Sequence, residues 1–258
     1  MPALISIAVP IYNTARFLPA ALDSLLAQDH PHWEGLLWND GSTDGSSEIA
    51  ADYARRDPRF RLLGNGRNNG NPCALAKTLA SAQGEFVGVL DSDDLLEPHA
   101  LSAMLRFMQD NPNMGMAYSQ HVEIDECNNF LQFGTRCQTP YSPQGLLVHF
   151  MTYQLRLIRT NAYQSVGGYD PSVDESADYD LCLRLSERFD IRHLPQPLYR
   201  YRIRADSISH GSRLRQLRTS FDAAQRALQR RGLQSQYALS LGVRARHVLR
   251  PKQQDTDP

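Results

Sequence analysis

Glu85-Phe86-Val87-Gly88-Val89-Leu90-Asp91-Ser92-Asp93-Asp94 is the stretch on which the fold turns. Its first six residues read as a buried strand, and that strand stops abruptly in a run of carboxylates. Two earlier segments have the same build. Leu4-Ile5-Ser6-Ile7-Ala8-Val9-Pro10 is short, apolar and partly β-branched, and is expected to end at its proline. Gly35-Leu36-Leu37-Trp38 runs into the turn-rich Asn39-Asp40-Gly41-Ser42-Thr43-Asp44-Gly45. Helical spacing lies between them: Leu18, Leu22, Leu25 and Leu26, with Asn13 or Thr14 as N-cap, then a helix over 46–56 with Ile49, Ala50 and Tyr53 inward. A strand at 60–63, a helix over 74–82 and an amphipathic helix through Leu101, Met104, Leu105 and Met108 complete the series, which halts near Asn111-Pro112. Strand–helix alternation of this kind specifies a parallel, doubly wound sheet. Ligands bind such sheets beyond the C-terminal strand ends. Asp40 follows one strand, and Asp91 and Asp93 follow another, so all three are expected on one rim.

Beyond residue 112 the pattern is more irregular. Met116-Ala117-Tyr118 reads as a strand, Val166-Gly167-Gly168-Tyr169 as a glycine-capped helix end, and 176–187 as a helix burying Leu181, Cys182 and Leu185. Tyr199-Arg200-Tyr201-Arg202-Ile203-Arg204 alternates strictly, so a strand there puts three arginines on one face. From Arg213 onward, Leu214, Leu217, Phe221, Ala224 and Leu228 predict a helix with a basic outer face, and 236–249 a second one.

Composition excludes several classes. With 258 residues, 41% hydrophobic, 21% charged and a net charge of −1, the chain is an ordinary globular protein and not a disordered one. No stretch approaches the ~18 uninterrupted apolar residues of a membrane-spanning helix. The N-terminus lacks the basic and apolar regions of a signal peptide, so none is expected. The four cysteines Cys73, Cys127, Cys137 and Cys182 have no metal-ligand or disulfide spacing and are read as reduced thiols. Charge is unevenly placed: residues 1–210 hold 17 Lys/Arg against 25 Asp/Glu, and residues 211–258 hold 10 against 3. The working region is acidic and the tail basic.

Carboxylates packed at a strand end are electrostatically costly unless a cation neutralises them. Asp91 and Asp93 can converge on a hard ion such as Mg²⁺ or Mn²⁺, which is commonly shared with phosphate oxygens; the competing role for Asp93 or Asp94 is a helix cap. Asp40 either accepts hydrogen bonds from a nucleobase or ribose, or holds its own loop as an Asx turn. Asp44 reads as an N-cap. Asp174, Glu175, Asp178 and Asp180 cluster at a predicted helix start, where the macrodipole favours acids. One of them facing the rim would serve as a general base, and the helix face favours Asp178 over Asp180. Arg200, Arg202 and Arg204 are candidates for neutralising a diphosphate or for a solvated edge strand.

The order of motifs now has a family likeness. Val9-Pro10-Ile11-Tyr12-Asn13, Asn39-Asp40-Gly41-Ser42-Thr43-Asp44-Gly45-Ser46, Gly84-Glu85-Phe86-Val87 leading to Leu90-Asp91-Ser92-Asp93-Asp94, Val166-Gly167-Gly168-Tyr169-Asp170, and Ala177-Asp178-Tyr179-Asp180-Leu181 with Arg184 follow one another over residues 4 to about 210. Together they resemble the family 2 glycosyltransferases, inverting enzymes of the GT-A fold. The resemblance implies a Rossmann-like α/β domain with a mostly parallel central sheet and flanking helices. It also implies a nucleotide-sugar bound by Pro10, Tyr12, Asn13, Asp40, Asp91, Ser92 and Arg204, with Mn²⁺ or Mg²⁺ on Asp91 and Asp93, and Asp178 as the catalytic base. Three positions depart from the family pattern. Asn39 stands where a second acid is common, Ala177 where Glu usually precedes the base, and Arg204 where many members carry His.

The expectation is therefore a GT-A domain over residues 1–210, with a nucleotide-binding half (1–112) and an acceptor half (113–210), followed by a basic helical tail (211–258). Its activity would be transfer of a sugar, UDP-linked, to an acceptor hydroxyl on a glycan or lipid-linked saccharide in polysaccharide biosynthesis. The alternatives are a sugar nucleotidyltransferase, for which residues 10–16 offer only Arg16 as a basic phosphate ligand, and a non-catalytic nucleotide-sugar-binding relative. No nucleic-acid partner is expected. The tail is read as a peripheral contact to the inner face of a membrane, or as a solvated cap or homodimer contact, with the protein in the cytoplasm.

Overall fold

The computed structural model describes residues 3–64, 66–204 and 213–242. β1 (Ile5–Ile11) alternates as a two-sided strand must: Ile5, Ile7, Val9 and Ile11 face one packed layer, and Ala8 faces the other. It does not stop at Pro10. By that residue its neighbour on one side has ended, the last pair being Ala8 with Val89, so the missing N–H removes no ladder bond there. α1 (Leu18–Leu26) begins at Phe17 without a side-chain cap. Asn13 and Thr14 do not cap it by side chain, because both side chains are engaged elsewhere: Asn13 Oδ1 accepts the Thr43 N–H at 2.8 Å and Thr14 Oγ1 donates to Ser92 Oγ at 3.0 Å, while Ser42 and Ser46 hold their backbone N–H groups.

β2 (Trp33–Asn39), α2 (Ser46–Arg56), β3 (Phe60–Leu63), α3 (Asn71–Leu79) and β4 (Phe86–Val89) complete the wound half. A two-residue strand β5 (Leu95–Leu96) and helix α4 (Ala100–Gln109) follow. The second half contributes β6 (Met114–Ile124), β7 (Phe130–Phe133), β8 (Arg156–Arg159), α5 (Thr160–Ser165), α6 (Ala177–Ser186), β9 (Asp190–Arg202) and α7 (Arg213–Arg230).

The strands form one sheet in the order β3-β2-β1-β4-β8-β6-β9-β5, with β7 on β6. Ladder directions set β1, β2, β3, β4, β6 and β9 one way and β5, β7 and β8 the other, so the expected mostly parallel sheet with flanking helices is found. One packed layer combines α1, α2 and α4; the other combines α3, α5, α6 and α7. The β6–β9 ladder is irregular. Its partners run Ser119 with Leu194, Gln120 with Pro197 and His121 with Tyr199, leaving Pro195, Gln196 and Leu198 without counterparts on β6. Two prolines sit at this bulge, where no N–H is demanded of them.

α7 buries Ala223, Ala224, Ala227 and Leu228 against the core, while Leu214 and Leu217, expected inward, are exposed. The first turns of the helix meet the domain through polar groups, Arg215 on Asp174 and Ser176 Oγ at 2.8 Å from Thr219 Oγ1, and not through these leucines. Residues 236–242 are not helical, and the rest of the second predicted tail helix lies outside the described residues. Among the described residues no helix is long and apolar enough to cross a membrane.

Candidate active site

The C-terminal ends of β1, β2 and β4 share one rim, as parallel pairing requires. On the β1–β2 side, Asn13 takes a positive φ of 51°, and its Oδ1 accepts the Thr43 N–H at 2.8 Å. Tyr12 is half exposed and Pro10 partly buried. Gly41 turns the chain at φ +83°, where a Cβ would meet the Asn68 nitrogen at 2.8 Å. That close approach lets the loop after β3 settle on Asp40. The Asp40 carboxylate is buried and well supplied: Oδ1 accepts from the Asn69 N–H at 2.9 Å, from Asn69 Nδ2 at 3.3 Å and from Trp38 Nε1 at 3.4 Å, and Oδ2 accepts from the Gly70 N–H at 3.0 Å. Asp40 thus holds the loop entering α3 and not its own turn. Asp44 is not the N-cap of α2, which is Gly45; its Oδ1 accepts the Ser46 N–H and its Oδ2 the Ala15 N–H.

The β4 side is different in chemistry. The last ladder bond runs from the Leu90 N–H to Ala8 O at 3.0 Å, and the Asp91 N–H then donates to the Tyr199 hydroxyl at 3.1 Å. Ser92 is buried, and Thr14 Oγ1 donates to its Oγ at 3.0 Å, which ties the two lobes of the rim together. Gln154 Nε2 donates to Asp91 Oδ2 at 3.3 Å. Burial, together with the charges of Asp93 and Asp178, raises the Asp91 carboxyl to about 6, against the pull of Arg156. Arg204 Nη1 donates to Asp93 Oδ2 at 2.8 Å, and Arg202 Nε donates to Asp93 O at 2.6 Å. Asp94 is buried and does not cap α4, whose N-cap is His99. Its Oδ1 accepts the Arg202 N–H at 2.7 Å, while Oδ2 has no hydrogen-bond partner among the described residues. Burial beside Asp93 and Asp91 raises this carboxyl well above the usual range.

Of the four acids around the start of α6, three have structural partners. Arg215 pairs with both Asp174 and Glu175, and Arg184 Nε donates to the buried Asp180 at 2.8 Å. Asp178 faces the rim instead. Both terminal nitrogens of Arg156 lie 3.4 Å from its Oδ2, and the Tyr179 N–H donates to its Oδ1 at 2.8 Å. Arg156, on β8, is buried, donates to Thr152 O at 3.1 Å, and also feels the Asp91 charge. Arg156 and Gln154 were missed in the sequence. The available signal was an arginine set among Leu155, Leu157 and Ile158, a cation that a buried strand admits only with partners.

The three arginines at the end of β9 are neither alike nor a solvated face. Arg200 donates to Glu97 Oε1 at 2.6 Å, Arg202 is buried against the acidic turn, and Arg204 pairs with Asp93. Asp91 and Asp93, the expected cation ligands, each keep one carboxylate oxygen without a protein donor named above. One oxygen of each already accepts from a protein donor, and among the described residues no three His, Cys, Asp or Glu side chains group as ligands. Chemically, the rim offers one partly exposed carboxylate fixed by a buried cation, two further carboxylates and a guanidinium.

A family model described as "Glycosyl transferase family 2" matches residues 6–167. Among curated relatives, a hyaluronan synthase of Pasteurella multocida is 27% identical over 230 residues, covering 89% of this chain and 24% of its own length. A chondroitin synthase of Escherichia coli is 28% identical over 196 residues, covering 76% of this chain and 28% of its own. The chain thus spans about a quarter of the length of these relatives. Among solved structures, S. aureus TarS 1-349 in complex with UDP-GlcNAc superposes with a TM-score of 0.70 at 19% identity, over 83% of this chain and 64% of that one. The mannosyltransferase PcManGT from Pyrobaculum calidifontis, in complex with GDP-Man and Mn²⁺, gives 0.64 at 16% identity, over 91% and 76%.

Proposed function

The chain belongs to glycosyl transferase family 2 and has a GT-A fold, and from that premise we propose that it transfers a sugar from a nucleotide diphosphate donor to an acceptor hydroxyl with inversion at the anomeric carbon. One observation carries the reading: Asp178 is the only one of its four-acid cluster turned to the rim that bears Asp91 and Asp93, and it is fixed there by the buried Arg156. Asp178 takes the proton of the acceptor hydroxyl as its oxygen bonds to the anomeric carbon. The bond from that carbon to the phosphate oxygen breaks, and its electron pair leaves with the nucleoside diphosphate. Arg156 positions the base, since a carboxylate that must meet a hydroxyl within hydrogen-bond reach benefits from a fixed orientation.

Pro10, Tyr12, Asn13 and Asp40 are proposed to form the nucleoside side of the donor site, and Asp91, Ser92, Asp93 and Arg204 its diphosphate side. A UDP-linked donor is favoured by the TarS neighbour and a GDP-linked one by PcManGT. The synthase relatives favour a glycan or lipid-linked saccharide as acceptor.

The test is donor turnover by wild type and Asp178→Asn across UDP- and GDP-sugars, with nucleotide affinity measured on the same samples. The variant should lose about 10²–10⁴-fold in turnover while UDP or GDP affinity stays within about twofold. Loss of affinity in parallel with turnover assigns Asp178 a structural role and sinks the base assignment.

A further inference from the structure

The acidic turn already has a counter-charge, and the chain supplies it. Arg204 Nη1 lies 2.8 Å from Asp93 Oδ2, with the two side chains only 14% and 25% exposed. This is not a side chain reaching into solvent. The guanidinium carbons of Arg204 and Arg202 each stand 4.9 Å from the centroid of Phe17, so one ring at the start of α1 carries both cations. Arg202 in turn grips the turn from its backbone side, donating from Nε to Asp93 O at 2.6 Å and from Nη1 to Asp125 O at 2.8 Å. The result is two guanidiniums beside one aromatic ring, each also bonded to the acidic turn that follows β4.

We propose that Arg204 is the resident cation of the donor site: it neutralises Asp93 and engages the leaving diphosphate, so that nucleoside diphosphate binds without a divalent ion. This inference rests on the glycosyl-transfer reading and deepens it. Arginine suits the task. It is charged at every accessible pH, and its planar fork matches phosphate oxygens in bidentate geometry. It also works against a metal. An ion approaching Asp93 has to displace an ion pair and then sit beside a fixed positive charge, and the guanidinium has no lone pair with which to ligate it. Asp93 becomes a positioning residue that aims the guanidinium.

Calorimetric titration of the full chain with UDP, GDP and the corresponding monophosphates, in EDTA and in Mn²⁺, tests the inference on wild type, Arg204→Ala, Arg204→Lys and Arg204→His. Wild type should bind its preferred diphosphate in EDTA within about threefold of its affinity in Mn²⁺. Arg204→Ala should weaken diphosphate binding in EDTA by about tenfold, the scale of one charge-assisted hydrogen bond, with monophosphate affinity nearly unchanged. Arg204→Lys should recover part of the loss, restoring the charge but not the bidentate fork, and it also serves should the alanine variant fail to fold. Arg204→His should bind weakly in EDTA and regain affinity in Mn²⁺. A wild type whose diphosphate binding vanishes in EDTA and returns with Mn²⁺, equally in the Arg204 variants, overturns this inference and leaves the transfer reading standing. A wild type that binds neither diphosphate under either condition overturns both.

Discussion

Asp40 and Asp94 are both buried and both lie just beyond a central strand on the same rim, yet the chain treats them in opposite ways. Asp40 collects four N–H donors from Trp38, Asn69 and Gly70. Asp94 accepts from the Arg202 backbone and is helped by the Tyr199 hydroxyl, while its Oδ2 has no hydrogen-bond partner among the described residues. Its carboxyl is correspondingly pushed up by burial and by its acidic neighbours. Donor supply, and not depth, separates a carboxylate that organises a loop from one whose charge its surroundings disfavour. The β1–β2 side of the rim is built on neutral N–H donors and the β4 side on guanidinium charge.

The largest test of that contrast is to remove the charge. Arg156→Met leaves Asp178 and Asp91 facing one another without their buried cation and should lower stability by about 3–5 kcal/mol, read from denaturant midpoints. Adding Asp91→Asn to that variant should recover part of the loss; strict additivity of the two changes would break the link between Arg156 and Asp91.

Next comes pH. The Asp91 carboxyl rises to about 6 in the fold from 3.8, so the folded chain binds more protons than the unfolded one between those values. Stability should therefore fall as pH rises from about 4 to about 6, by up to about 3 kcal/mol, and Asp91→Asn should flatten that slope. A third, smaller effect belongs to the other side of the rim. Asp40→Asn turns one acceptor into an amide facing backbone donors and should cost about 1–3 kcal/mol, with loosened protection of the Asn69 and Gly70 amides in hydrogen exchange. Asp94→Asn should cost least, below about 1 kcal/mol, because the amide oxygen can still accept the Arg202 N–H while the change removes a charge that burial and the neighbouring acids disfavour. Equal costs at Asp40 and Asp94 would erase the distinction.

Much of the first half was legible in the sequence because its information is local. The apolar runs at β1, β2 and β4 can only be buried, and each hands over to a turn whose residues announce it. What escaped depended on partners far along the chain. β5 is two residues long and exists only because β9 lies beside it, with Leu95 opposite Arg200. β8 pairs antiparallel to β4, which no strand–helix rhythm foretells, and with it came Gln154 and Arg156. Asn13 and Thr14 have the chemistry of helix caps but their side chains were claimed by Thr43 and Ser92. In the acidic cluster the helix face and the family likeness pointed to Asp178, and the tertiary arginines Arg156, Arg184 and Arg215 show what the sequence could not, namely the partner that occupies each acid. The exposed Leu214 and Leu217 show the same limit, since periodicity names a face but not what lies under it.

The three unpaired residues of β9 work as slack in a measuring tape. Continued from Leu194 opposite Ser119 in straight register, Tyr199 would stand opposite Ile124 and not His121, about 10 Å farther along the sheet. Because the surplus is odd, it also reverses which way each later side chain points. The hydroxyl under Asp91 and the guanidinium on Asp93 both come from beyond that surplus. Deleting Gln196 alone would therefore rewire the rim without touching a residue in it, and lengthening the strand by a pair of residues would slide the arginines while keeping their facing.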